Sequence, residues 1–241
     1  MPALDVLDRL DRPGSAALVP MKIDRAGFPF VAGALVPALS LGAFGWWLWS
    51  LPFVLLAVAL ALFFRDPDRS APASTGLVVS PADGRVMVAG APPTGAAPAG
   101  QWTQLSIFLS PLDVHVNRIP VSGTVTRVDH KPGSYRAAYR PEATTENERS
   151  EVWIDASTCT VVFRQITGVL VRRVVCRVRP GETVRAGDRM GVMKFGSRID
   201  LFLPAGTPLL VGVGDRVRAG ETVLAQLAGA GAAGRAADSS H

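Results

Sequence analysis

From Gly27 to Phe64 the chain runs for 38 residues without one Asp, Glu, Lys or Arg. A helix needs about 20 apolar residues to cross a bilayer, so this run is too long for one upright crossing and suits two short ones. Gly42-Ala43-Phe44-Gly45 lies at its middle, followed by Trp46, Trp47 and Trp49. Glycines that break a helix, beside tryptophans that favour an interface, predict a hairpin turning near the far side. Pro37 and Pro52 would kink its two arms. Lys22 and Arg25 precede the run, and Arg65 and Arg69 follow it. Positive charge at both ends puts both on the cytoplasmic side, which a hairpin allows and a single crossing does not. The run starts too late and extends too far for a signal-peptide core.

The chain of 241 residues then has room for one ordinary domain. It divides into a polar lead (1–26), a membrane-associated helical hairpin (27–64), a globular region (65–227) and an Ala/Gly/Ser-rich tail (228–241) expected to be disordered. In the globular region, short runs of Val, Ile, Leu and Phe bounded by Gly, Pro and Asp recur at 77–80, 85–89, 105–109, 123–129, 151–156, 159–165, 168–179 and 199–203. That pattern predicts a mainly β fold of the α+β class. Residues 90–101 read as a flexible connector and 134–150 as a polar loop. One internal echo stands out. Gly181-Glu-Thr-Val-Arg-Ala-Gly-Asp-Arg-Met returns 33 residues later as Gly214-Asp-Arg-Val-Arg-Ala-Gly-Glu-Thr-Val. Each copy reads as turn, short strand and turn, and two such hairpins would clasp each other as a small lipoyl/biotinyl-like β-sandwich.

The net charge of +5 comes without Lys/Arg clusters interleaved with aromatics, so it implies attraction to anionic lipid and not to nucleic acid. Cys159 and Cys176 show no metal-ligand spacing and read as small buried residues of a reducing compartment.

Between the two echoed segments stands Phe195-Gly196-Ser197-Arg198. A serine in a tight turn can attack the preceding carbonyl, move the acyl group from nitrogen to oxygen, and lose the ester by β-elimination. The dehydroalanine left behind hydrolyses to a pyruvoyl group. Gly196, lacking a Cβ, permits the strained backbone this needs. In Ser80-Pro81-Ala82-Asp83-Gly84 the aspartate either caps a turn or holds a carboxylate at a strand end, able to orient or deprotonate a partner. His115, in Asp113-Val114-His115-Val116-Asn117-Arg118, sits where a strand empties into a loop and is the best proton carrier on offer. His130 is the reserve, and His241 is terminal. The arginines of 134–150 suit a bidentate grip on carboxylate or phosphate.

Ser80–Gly84, Asp113–Pro120, Asn147-Glu148-Arg149 and Phe195-Gly196-Ser197 together resemble, in order and spacing, the phosphatidylserine decarboxylase proenzymes of the shorter bacterial and archaeal type. The likeness covers about residues 20–225. It implies self-cleavage between Gly196 and Ser197 into a β chain (1–196) and an α chain (197–241), which stay together as a heterodimer and can assemble further. It implies a covalent pyruvoyl group from Ser197 with no metal and no pyridoxal phosphate, and decarboxylation of phosphatidylserine to phosphatidylethanolamine through a Schiff base. The family pattern places Asp83 and His115 as assistants of cleavage and turnover, with Asn147, Arg149 and Arg118 as substrate-binding candidates. Longer members carry a second histidine where this chain has Arg118. The implied location is the cytoplasmic face of the cell membrane, on anionic lipid. The competing expectation is a membrane-anchored lipoyl/biotinyl carrier or fusion adaptor modified on Lys194, in Met193-Lys194 between the two echoes.

Overall fold

The structure, a computed structural model, describes residues 22–74, 76–169, 174–193 and 197–227. The charge-free run folds into two packed helices, α1 (Phe28–Ala43) and α2 (Trp47–Phe63). Pro37 and Pro52 remain inside them. A 3-10 turn, Arg25–Gly27, capped by the Asp24 carboxylate, leads into α1. The two ends of the hairpin are zipped together: Asp24 N donates to Phe64 O (2.9 Å) and Asp66 N to Lys22 O (2.7 Å). Trp46, Trp47, Leu48 and Trp49 at the turn are exposed, as is Leu55 farther along. Residues Arg25–Ala43 form a helix long and apolar enough to cross a membrane, and Trp47–Phe63 is a shorter apolar helix. At 1.5 Å per residue each arm is about 25 Å long, slightly less than a hydrocarbon core of about 30 Å.

The rest is β apart from one helical turn, α3 (Ala143–Glu146). In chain order the strands are β1 (Leu77–Val79), β2 (Gly84–Gly90), β3 (Trp102–Leu109), β4 (Val116–Arg118), β5 (Gly123–Lys131), β6 (Arg149–Asp155) and β7 (Thr160–Ile166). They continue with β8 (Val174–Cys176), β9 (Thr183–Val184), β10 (Arg189–Met193), β11 (Ser197–Pro204), β12 (Arg216–Val217) and β13 (Val223–Gln226). Eight make an antiparallel sheet in the order β12-β2-β3-β11-β7-β6-β5-β9; β4-β10-β8 form a second sheet and β1-β13 a third. Alternation sends Ile107, Ile154, Phe163, Ile199 and Leu201 to one face of the large sheet, where they form the core. The small sheet packs Val116 and Val192, with Val114, against Phe63 and Phe64 at the foot of the hairpin.

The echoed segments do form turn–strand–turn units, but they do not pair with each other. β9 joins β5 at one edge of the large sheet and β12 joins β2 at the other. The sheet curls until the turn at Gly220 rests on Gly187. A second echo, unnoticed in the sequence, explains the pairing. Pro81-Ala82-Asp83-Gly84-Arg85-Val86 recurs as Pro120-Val121-Ser122-Gly123-Thr124-Val125. Val86 exchanges backbone bonds with Gly214 and Asp215, as Val125 does with Gly181 and Glu182. Gly84 and Gly123 occupy matching places beneath a neighbouring strand, where a Cβ would lie 2.1 Å from the carbonyl oxygens of Phe108 and Asp155.

Two segments expected to be loose are fastened. Residues 90–101 are held where Arg164 Nη1 donates to Ala96 O (2.6 Å). Residues 134–150 bury Ala138, Ala143, Thr144 and Asn147 and set Tyr139 edge-on to Phe108. Composition misled here because these segments cover charged side chains: Arg164–Glu151 and Arg198–Asp200 are buried ion pairs on the outer face of the large sheet. Within 168–179 only β8 is a strand among the described residues. The expected tail, 228–241, and most of the lead, 1–21, lie outside the described residues.

Candidate active site

Ser197 opens β11 opposite Leu109, on the same inward face as Ile199 and Leu201. It is fully buried, and its Oγ has no hydrogen-bond partner among the described residues. Its neighbour Arg198 points the other way and is pinned, donating from Nε to Asp200 (2.6 Å) and from Nη2 to Ser106 Oγ (3.0 Å). That anchor fixes the start of the strand and therefore the serine.

His115 immediately precedes β4. Its carbonyl accepts from Met193 N at 3.1 Å, only four residues upstream of Ser197 in the chain. The chain thus leaves His115 at Met193 and returns against Leu109 at Ser197. The imidazole is buried and lies on Phe63, with ring centroids 4.1 Å apart and a 33° tilt. Nδ1 is 2.9 Å from Asp113 O, a carbonyl that can only accept, so Nδ1 carries the hydrogen. Nε2 is then an unprotonated acceptor, buried and without a partner among the described residues. Burial is the main cause that lowers the His115 pKa to about 4, assisted by the Arg65 charge and opposed by the Asp113 bond and the Asp83 charge. The ring is therefore neutral at physiological pH. Arg65 also closes the approach, donating from Nη2 to Leu112 O (2.6 Å).

Two further polar side chains meet here that sequence reasoning missed. Asn117 and Gln165 are both fully buried, and Gln165 Nε2 donates to Asn117 Oδ1 at 2.8 Å. Gln165 is in register with Ile199, two residues along the same face from Ser197. Asn117 shares its side of the extended chain with His115. Asn117 Nδ2 and Gln165 Oε1 have no partner among the described residues. The signal available was a glutamine inside the apolar run 159–165, a polar residue where a core strand has no ordinary use for one.

The hydrogen bonds of the other expected residues run elsewhere, although the Asp83 charge acts on His115. Asp83 is gripped by Arg69, which reaches both carboxylate oxygens, and accepts from Ala219 N (2.8 Å). Its carboxylate ties the β1–β2 turn to the turn after β12. Arg118 donates to Gly187 O (2.9 Å) and Pro67 O (2.8 Å), facing the strap after the hairpin and not the serine. Asn147 commits both amide protons to Arg136 O and Thr167 O, so it shapes the covering segment. Arg149 sits on the outer face of the large sheet in a cleft of ≈ 380 Å³ with Arg127, Lys131, Arg164 and Trp153, while Ser197 faces inward. His130 is exposed, 3.6 Å from Glu148. Gly196 and Lys194 lie outside the described residues. Cys159 and Cys176 are free, half-buried thiols whose pKa values burial raises.

A buried hydroxyl that lacks an acceptor and a buried imidazole nitrogen that lacks a donor are complementary in the way a nucleophile and its base require. Comparison with known proteins identifies the family. A family model described as phosphatidylserine decarboxylase matches residues 56–225. A phosphatidylserine decarboxylase proenzyme of Nitrosomonas europaea is 42% identical over 209 residues, covering 85% of this chain and 94% of the relative. Its counterparts in Xanthobacter autotrophicus (44% over 214 residues, 88% and 91% covered) and Mycolicibacterium vanbaalenii (45% over 206 residues, 84% and 88% covered) are similar. These matches decide between decarboxylase and carrier in favour of the decarboxylase.

Proposed function

The chain belongs to the phosphatidylserine decarboxylase family, and on that premise we propose that it decarboxylates phosphatidylserine to phosphatidylethanolamine using a pyruvoyl group made from its own Ser197. One observation carries the reading: Ser197 Oγ and His115 Nε2 are complementary, buried and each without a hydrogen-bond partner among the described residues. Leaving each unsatisfied costs about 1–3 kcal/mol, a strain that use relieves.

In maturation, His115 Nε2 takes the hydroxyl proton while Ser197 Oγ attacks the Gly196 carbonyl carbon. The C–N bond breaks, the nitrogen is protonated, and residue 196 is carried as an ester on Ser197. Loss of the Ser197 α-proton expels residue 196 as a carboxylate. Water then replaces the nitrogen, which leaves as ammonia, and a ketone remains. The surroundings fit such a group in that the position is shielded from water. A pyruvoyl group at position 197 would supply an electrophile for the substrate amine and a sink for the electron pair that decarboxylation releases. In turnover, His115 accepts a proton from the arriving ammonium and returns it to the carbon that lost its carboxylate. Asp83 acts as a positioning residue, holding the turn that borders the site through Arg69 and Ala219.

The hairpin 27–64 gives the globular region, 65–227, its place on the cytoplasmic face of the membrane, where a two-tailed substrate resides. Its foot rests on His115 through Phe63, so the bilayer anchor and the base are adjacent. A denaturing gel with intact-mass analysis tests the proposal. Wild-type protein should yield two fragments, the smaller blocked to Edman degradation and reactive toward hydride or hydroxylamine. Ser197→Ala should stay one inactive chain. An active, uncut wild-type protein without a reactive carbonyl refutes the reading.

A further inference from the structure

We propose that the Asn117–Gln165 amide pair is the subsite that reads the amino-acid end of the substrate, with Asn117 Nδ2 donating to the α-carboxylate and Gln165 Oε1 accepting from the amine. The inference rests on the pyruvoyl reading of Ser197 and deepens it. Both side chains are fully buried and bonded to each other, yet each leaves one polar atom unsatisfied. Burying two amides costs desolvation that an apolar pair would avoid. A pair kept with one donor and one acceptor idle is a pair awaiting a ligand that offers both.

The sheet register places it. Ser197 and Ile199 point to one face of β11, and Gln165 lies across from Ile199 on β7. Asn117 reaches Gln165 from the opposing sheet, and His115 lies two residues before Asn117 on the same side. The four idle atoms, on Ser197, His115, Asn117 and Gln165, therefore belong to one interior locus. Among the described residues the amide pair's side-chain hydrogen bond is to itself, with none from a cation. An uncharged donor suits a carboxylate that has to be lost: it orients the group without holding its charge as tightly as an arginine would. In the uncut chain the locus is closed to solvent, and scission before Ser197 detaches it from the chain arriving from Met193.

The product keeps the amine and lacks the carboxylate, which gives a readout that a purely structural role would not produce. Asn117→Asp and Asn117→Leu are made in the full chain, and the self-cleaved protein is assayed in detergent micelles. The KM for phosphatidylserine is compared with the inhibition constant for phosphatidylethanolamine. Losing one hydrogen bond to a charged group should raise KM about tenfold or more while kcat changes far less. The inhibition constant should stay at the wild-type value. Gln165→Met should instead raise both constants together, because substrate and product share the amine. The proposal is overturned if both constants rise together in the Asn117 variants, if kcat alone falls, or if folded Asn117 variants remain uncut. Should the Asn117 variants not fold, Gln165→Met decides alone, and an unchanged inhibition constant refutes the subsite. Wild-type protein that is uncut defeats the pyruvoyl reading itself, whereas cut and active wild type with the wrong pattern of constants defeats only the subsite.

Discussion

His115 should make this protein lose stability as pH falls through a window set by its burial. In the unfolded chain an imidazole titrates near 6.5, while in the fold burial brings the His115 pKa to about 4. Above 6.5 both states hold a neutral ring, and the group contributes no pH dependence. Between 6.5 and 4 the unfolded chain binds a proton that the folded chain refuses, so stability falls with falling pH. The full loss is about 3 kcal/mol, and at pH 5 it has reached about 2 kcal/mol. Urea unfolding of Ser197→Ala in detergent, followed by tryptophan fluorescence, keeps the chain in one covalent state. Comparing it with Ser197→Ala/His115→Gln at pH 7 and pH 5 isolates this proton. The parent should lose about 2 kcal/mol more than the double variant across that interval. The same neutral ring should keep self-cleavage of the wild type level from pH 8 to about 5, with half its rate near pH 4. Equal pH slopes for the two chains, or a cleavage profile breaking near 6.5, would refute the assignment of a buried, neutral base.

Phe63→Ala should admit water to the imidazole that Phe63 covers, moving the break in the cleavage profile from near pH 4 toward 6.5; an unmoved profile would show that the hairpin does not shield the base. Arg69→Gln and Asp83→Asn should slow self-cleavage to a similar degree, and the double variant should be no slower than either. Additive slowing would mean that Asp83 acts directly and not through the turn it fastens. Arg198→Met should slow cleavage by releasing the strand start, leaving Asp200 buried without its cation at a cost of about 3–5 kcal/mol in urea unfolding. Wild-type stability in that variant would remove Arg198 as the anchor of Ser197.

The helical hairpin was legible because composition alone decides it: 38 residues without charge have few other fates, and the structure breaks the run at 44–46, where the glycines and tryptophans sit. Most of the long strands were legible for a similar reason, since short runs of β-branched and apolar residues mark β3, β6 and β7. What failed was pairing. The Gly181 and Gly214 echoes are strong local signals, but local signals do not say which strand they bond to, and each found its partner in the fainter Pro81 and Pro120 echo. The Gly/Ala/Pro-rich segment 90–101 and the polar segment 134–150 misled because neither composition resembles packed structure, yet the surface they cover is charged.

The same limit governs the site. Ser197 and His115 announce themselves as residue types with chemistry, whereas Asn117 and Gln165 become visible only once burial leaves their atoms idle. Arg118 shows the converse. Its sequence position suggested a stand-in for a second histidine, yet its guanidinium is spent on Gly187, Pro67 and Asp66. Among the described residues this site holds a single imidazole, and under the proposed function the proton transfers of maturation and turnover are assigned to His115. Replacing Arg118 by histidine tests that economy. An imidazole is too short to hold both Pro67 O and Gly187 O, so Arg118→His should loosen the strap and lower stability without speeding cleavage. Faster cleavage in that variant would show that position 118 can reach the serine after all.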